Sequence, residues 1–267
     1  MRRAEQQTAG RMLEHQTLLQ APPARGGIGV LSLVVMGFFM VSGGIYGNEQ
    51  LVSAAPPLYV CAWTLGCAVF FALPNALMTA ELASAFPRTG GQVVWVAAAC
   101  GPTIGAQNGF WLWVTYLLDA AVYPQMASRY LCGALQLGRG VQQAFTLGIV
   151  AGIACINLIG LGCVTLTQSV AFVVSLTPCL IFAIAGIRVI EPSVLVVADG
   201  PIDVALLLSW AVWLYSGFSS LGSMAGEVDN PRRTYPMVVL LLLPLVASLN
   251  LLPFMVALSL DADPSHY

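Results

Sequence analysis

Two apolar segments of this chain are long enough to cross a membrane only if they run through an interruption of small and polar residues. These interruptions are residues 42–47 (SGGIYG) and 216–220 (SGFSS). The apolar run before the first, residues 28–41, is 14 residues long. As helix it reaches about 21 Å, against a hydrocarbon core roughly 30 Å thick. The run before the second, residues 204–214, is 11 residues and falls shorter still. Gly43, Gly44 and Gly47 carry no side chains to shield their peptides. In lipid an unwound turn is tolerated only where protein or a cavity satisfies its N–H and C=O groups. Such a turn is a polar site at bilayer depth. The alternative reading of Gly43 to Gly47 is a small-xxx-small packing seam between helices. The second interruption favours the unwound turn, because it falls in the sixth apolar segment, where a pseudo-symmetric repeat of the first would place it.

With 58% hydrophobic and 8% charged residues, the chain has too little polar surface to cover a soluble globule of its 267 residues, and reads as a polytopic, all-α integral membrane protein. Seven spans are expected, at 28–54, 58–82, 102–126, 144–161, 164–187, 204–225 and 237–260, with the lipid bilayer as their principal partner. The ten basic residues are all Arg. Arg2, Arg3, Arg11, Arg25, Arg88, Arg232 and Arg233 fall on the side of the N-terminus, and Arg129, Arg139 and Arg188 on the other, which places the N-terminus in the cytosol. Residues 1–27 read as a disordered cytosolic tail.

The seven cysteines are scattered without a CxxC pair, and His15 and His266 sit near opposite ends. They offer no metal centre or disulfide framework, and the chain is expected to need no cofactor. An intramembrane hydrolase requires a Ser/His dyad or paired aspartates, for which the spans lack material. A nucleic-acid partner is excluded by the missing basic patch.

Ionised side chains inside a span face a cavity or a partner. Three acids qualify: Glu49 just after the first break, Glu81 near the end of the second span and Asp119 in the third. Asp119 has no basic residue close in sequence, so a substrate cation or a transported proton is its reasonable partner. Glu49 has a structural alternative, bracing the short second half of the first span. At the second break, half-helix ends expose free N–H and C=O groups that suit the two charges of a small solute. Trp213, Tyr215 and Phe218 beside it are candidates to pack on the solute's apolar part, or else are ordinary core or lipid-facing aromatics.

Four stretches, SGGIYGNEQ, LPNALMTAELASAFPRTGGQVVWV, GPTIGAQNGFWLWVTYLLDAAVYP and MAGEVDNPRRTYP, in this order and spacing, resemble the amino acid, polyamine and organocation (APC) permease superfamily. Within it they are similar to the polyamine and amino acid permeases of plants and trypanosomatid protozoa. The resemblance implies a LeuT-like inverted-repeat fold of five plus five helices, usually in a chain of twelve, and proton-coupled uptake of an amino acid or polyamine. It assigns Gly43, Gly44, Ile45 and Gly47 to an unwound substrate-receiving turn. Glu49 becomes the acid that follows it, Asp119 and Tyr123 a DxxxYP element, and Trp213, Tyr215, Ser216, Gly217, Phe218 and Ser219 the break of the sixth helix. It also implies a short helix over 92–100, entered through Gly90 and Gly91.

Two positions depart from the family pattern: Ser219 stands where an acid is frequent and Asn75 where Glu is frequent. Both departures weaken a polyamine reading. On this plan residues 28–187 form the first repeat and 188–267 only the start of a second. The expectation is therefore of a C-terminally truncated permease, with a non-transporting fragment as the alternative to an active transporter. The oligomeric state is open.

Overall fold

The structure, a computed structural model, describes residues 27–42 and 49–260. Among these, the chain forms helices joined by short loops, with one isolated bridge between Ile28 and Val228 and no strand ladder. Helix α1 spans Val30–Val41. A single 3-10 turn, Glu49–Leu51, leads to α2, Pro57–Ala85. Then follow α3 (Gln92–Cys100), α4 (Pro102–Ala134), α5 (Arg139–Ile159) and α6 (Leu161–Gly186). After the four-residue α7 (Pro192–Leu195), α8 (Val204–Trp213) gives way to a 3-10 segment, Ser216–Met224, and α9 (Pro231–Leu260) closes the described chain.

Among the described residues, four stretches are long and apolar enough to cross a membrane: Pro57–Ala85, Arg139–Ile159, Gly162–Gly186 and Pro231–Leu260. Helix α1 is apolar but only 12 residues long, and α8 has 10, so neither crosses as one regular helix. Helix α4, 33 residues, runs unbroken through Pro124 and ends beyond the expected 102–126 span. Helix α9 likewise begins six residues before the expected boundary at 237, because Pro231 suits a first helical turn, where a missing N–H costs nothing.

In α2 the residues Ala68–Ala72 widen into a π turn. Pro74 explains it: without an N–H it cannot donate back along the helix, and the ladder readjusts by a turn in which Leu73 N–H reaches Ala68 O.

The core is built around α1. Leu33, Phe38, Leu51, Val60, Phe218, Leu221, Leu242 and Val246 are all essentially without solvent contact. Along α9 the buried positions Val238, Leu242, Val246, Leu249, Pro253 and Val256 recur every three or four residues, which places one face against α1, α2 and α6. Phe38 meets Phe172 of α6 edge-on, with ring centroids 4.9 Å apart at 90°. Helix α5 has no buried residue, although it is as apolar as its neighbours. In a bilayer that is no anomaly, since lipid tails accept Leu and Val as readily as a core does.

Candidate substrate site

The two interrupted spans meet. At one end the backbone ties them: Gly27 N–H and Ile28 N–H both donate to Glu227 O (3.0 and 3.1 Å), and Asp229 N–H donates to Ile28 O (3.0 Å). Further along, Gly37 of α1 lies against Leu221 of the 3-10 segment. At the break itself, the Cα of Gly217 lies directly on the last turn of α1. A Cβ there would collide with Met40 O, and would be 2.8 Å from Val41 Cα. Only glycine permits this approach of two main chains, which explains the small residue at the centre of SGFSS. Helix α1 terminates here, where Ser42 N–H bonds Phe38 O (2.9 Å). Trp213 ends α8, and two residues intervene before the 3-10 segment begins. Peptide dipoles from two broken spans are thus brought to one level of the bundle.

Gly43, Gly44, Ile45 and Gly47 lie outside the described residues, as does the side chain of Glu49, whose backbone opens the 3-10 turn. Tyr215 and Phe218 are both 0% exposed and belong to the core, whereas Trp213 is exposed and stacks obliquely near Trp210, with centroids 5.9 Å apart. Ser216 donates its hydroxyl to Trp213 O (3.2 Å), a local bond that bridges the end of α8. Asp119 and Tyr123 sit one turn apart on α4, and the Tyr123 hydroxyl donates to the Asp119 carboxylate over a long 3.4 Å.

Tyr123 also lines a cavity of about 520 Å³, together with Phe39 and Ser42 of the first span and Asn157, Thr167 and Gln168 of α5 and α6. The third span therefore joins the first break through this space. Ser219 instead faces two other cavities, of about 230 and 470 Å³, and Asn75 lines the larger of them. Among the described residues no group of three or more His, Cys, Asp or Glu side chains is placed to hold a metal.

Sequence reasoning missed Gln92. The structure places it beside Ser219 in both of these cavities, because α3 docks on the 3-10 segment. The glycine pair before α3 was the available signal. Gly90 and Gly91 take positive φ (126° and 48°), Gly90 N–H donates to Ser223 O (3.1 Å), and a Cβ on Gly91 would come within 2.7 Å of Ser223 N.

A helical membrane architecture with paired broken spans in mutual contact is that of the LeuT-like fold class. Comparison with known proteins gives the family. Residues 28–262 match the model of the amino acid permease family, and the chain belongs to it. It is 34% identical over 244 residues to "Polyamine transporter PUT1" of Oryza sativa subsp. japonica, covering 87% of this chain and 46% of that protein. It is 34% identical over 234 residues to "Probable polyamine transporter At1g31830" of Arabidopsis thaliana, covering 85% and 47%. A more distant relative is "Aspartate-proton symporter" of Bacillus subtilis (strain 168), 23% identical over 225 residues, covering 79% and 43%. The chain spans about half the length of the curated relatives it matches.

Proposed function

We propose that this chain belongs to a secondary active transporter that carries an amino acid or a polyamine by alternating access, in symport with protons. The observation that carries the reading is the contact of Gly217 with the end of α1. It brings two interrupted spans together, so that their helix ends share one small site inside an apolar bundle. The site comprises the turn at Gly43, Gly44, Ile45 and Gly47 with Glu49 after it, the segment from Trp213 to Ser219, and Asp119 with Tyr123. The relatives' names support the solute classes: two are called polyamine transporters and one an aspartate-proton symporter. Asp119 is the proton carrier in this scheme, an acid on a membrane helix with a neutral phenol as its hydrogen-bond donor. The N-terminus lies in the cytosol of a plasma-membrane protein, with Arg88, Arg232 and Arg233 on the same side.

Uptake of radiolabelled amino acids and polyamines into proteoliposomes with an imposed pH gradient tests this. The expected result is gradient-driven uptake that a protonophore abolishes, lost in Gly217→Leu and uncoupled from the gradient in Asp119→Asn. Uptake by either variant that matches the parent chain removes the site assignment.

A further inference from the structure

The docking of α3 on the 3-10 segment builds a chamber that the paired breaks do not account for. Gly222 lies flat against the Trp95 ring, and Gly91 against the Ser223 peptide. These two glycine contacts bring Gln92 and Ser219 together as shared walls of the cavities of about 470 and 230 Å³. The polar side chains around the pair of cavities are Asn75, Gln92, Ser219, Ser220, Ser223 and Tyr116. Tyr116 and Ser220 are already hydrogen-bonded to each other at 3.0 Å, which joins α4 to the 3-10 segment across the smaller cavity. Trp95, only 8% exposed, also lines the larger cavity, and its indole N–H is buried without a partner. Among the described residues, neither cavity has an Asp, Glu, Lys, Arg or His in its lining.

The amides and hydroxyls set among the apolar walls of this chamber offer donors and acceptors but no charge. An uncharged amide or hydroxyl group entering it exchanges water hydrogen bonds for protein ones at little net cost. An ammonium group loses hydration there with no carboxylate among the described lining residues to offset the loss. A polyamine carries such a group at each end, so at least one would fall in or near this space.

We infer that the chamber formed by Asn75, Gln92 and Ser219 receives the uncharged polar side chain of an amino acid, a carboxamide being the best match, and selects against polyamines. The inference rests on the transport reading in one respect: Ser219 lies two residues after Gly217, so the solute's charged ammonium and carboxylate would stay at the breaks while its side chain enters the chamber.

Cys100 is exposed and lines the larger cavity, which makes it a built-in reporter. The test is the rate of Cys100 alkylation by N-ethylmaleimide in the full chain in nanodiscs, read peptide by peptide by mass spectrometry. Cys163, half-exposed at the start of α6 and absent from both linings, serves as the control. L-Glutamine should slow Cys100 labelling in a saturable way, about tenfold at roughly ten times its half-saturating concentration, and leave Cys163 unchanged. Spermidine should protect far less. Asn75→Glu and Ser219→Asp, made separately so that one misfolded variant does not end the experiment, should reverse that order. The inference is overturned if neither solute protects Cys100, if spermidine protects the parent chain as well as glutamine does, or if both folded variants keep the parent's preference. Protection by glutamine in a chain that moves no solute in liposomes would uphold the chamber and reject the transport reading.

Discussion

Adding a single methyl group at Gly217 measures how closely the two broken spans approach. The Cβ of Gly217→Ala would overlap Met40 O and lie 2.6 Å from its carbonyl carbon and 2.8 Å from Val41 Cα. Carbon contacts are comfortable at about 3.5 Å. All three atoms are main chain, so no rotamer change relieves the overlap and the two segments must separate. Their separation is opposed by the Glu227 bonds to Gly27 and Ile28. Overpacking of this kind costs typically 1–3 kcal/mol, and backbone on both sides puts Gly217→Ala at about 3 kcal/mol or above.

Two other glycines calibrate the effect. At Gly37 the Cβ would meet Leu242 Cδ2 at 2.7 Å and Leu221 Cδ2 at 2.8 Å, both ends of flexible side chains, so the cost should be about 1 kcal/mol. At Gly66, inside α2, a Cβ meets nothing within 4 Å, and Gly66→Ala should stabilise by roughly 0.5–1 kcal/mol through helix propensity. Thermal unfolding in one detergent, followed by the loss of the monodisperse peak, should rank the variants Gly66→Ala, parent, Gly37→Ala, Gly217→Ala from most to least stable. A Gly217→Ala protein as stable as the parent would refute the close approach of the two main chains.

Three further outcomes follow from the same geometry. Tyr235 donates its hydroxyl to Leu221 O at 2.7 Å in a buried setting, so Tyr235→Phe should lower stability by about 1 kcal/mol. The Asp203 carboxylate caps α8 by accepting from Leu206 N–H at 2.9 Å. Asp203→Ala should cost about 1 kcal/mol in the same melt, and Asp203→Asn a fraction of that. Without solute, Cys100 should be alkylated in the folded protein, while Cys67, Cys132 and Cys179, all buried, should react only after denaturation; equal reaction at Cys132 would mean that the packing of α4 is wrong.

The break in the sixth span was legible because helix and interruption differ in composition. An apolar run gives way to Ser216, Gly217, Ser219 and Ser220, and the structure ends α8 at Trp213 and begins the 3-10 segment at Ser216. The short helix over 92–100 appears with those bounds, entered through two glycines at positive φ. Burial was not legible. Tyr215 and Phe218 read equally well as solute-facing, core or lipid-facing aromatics, and the structure puts both wholly in the core while Trp213 stays exposed. In a soluble protein hydropathy separates those cases, but in a bilayer the buried and lipid-facing sides of a helix are both apolar. The chamber around Gln92 was hidden for another reason. Asn75, Gln92 and Ser219 are distant in sequence, and only the two glycine contacts at Gly91 and Gly222 bring them together.

The central claim is that the first and sixth spans give up regular backbone bonding at one level of the bilayer and hold the solute there. Hydrogen–deuterium exchange of the chain in nanodiscs, with and without an amino acid or polyamine solute, tests it most directly. Peptides covering residues 40–50 and 214–222 should exchange far faster than the middle of α9, and should slow when solute is added while α9 does not change. If both stretches are as protected as α9 from the outset and solute changes neither, the spans are continuous helices and the shared site does not exist.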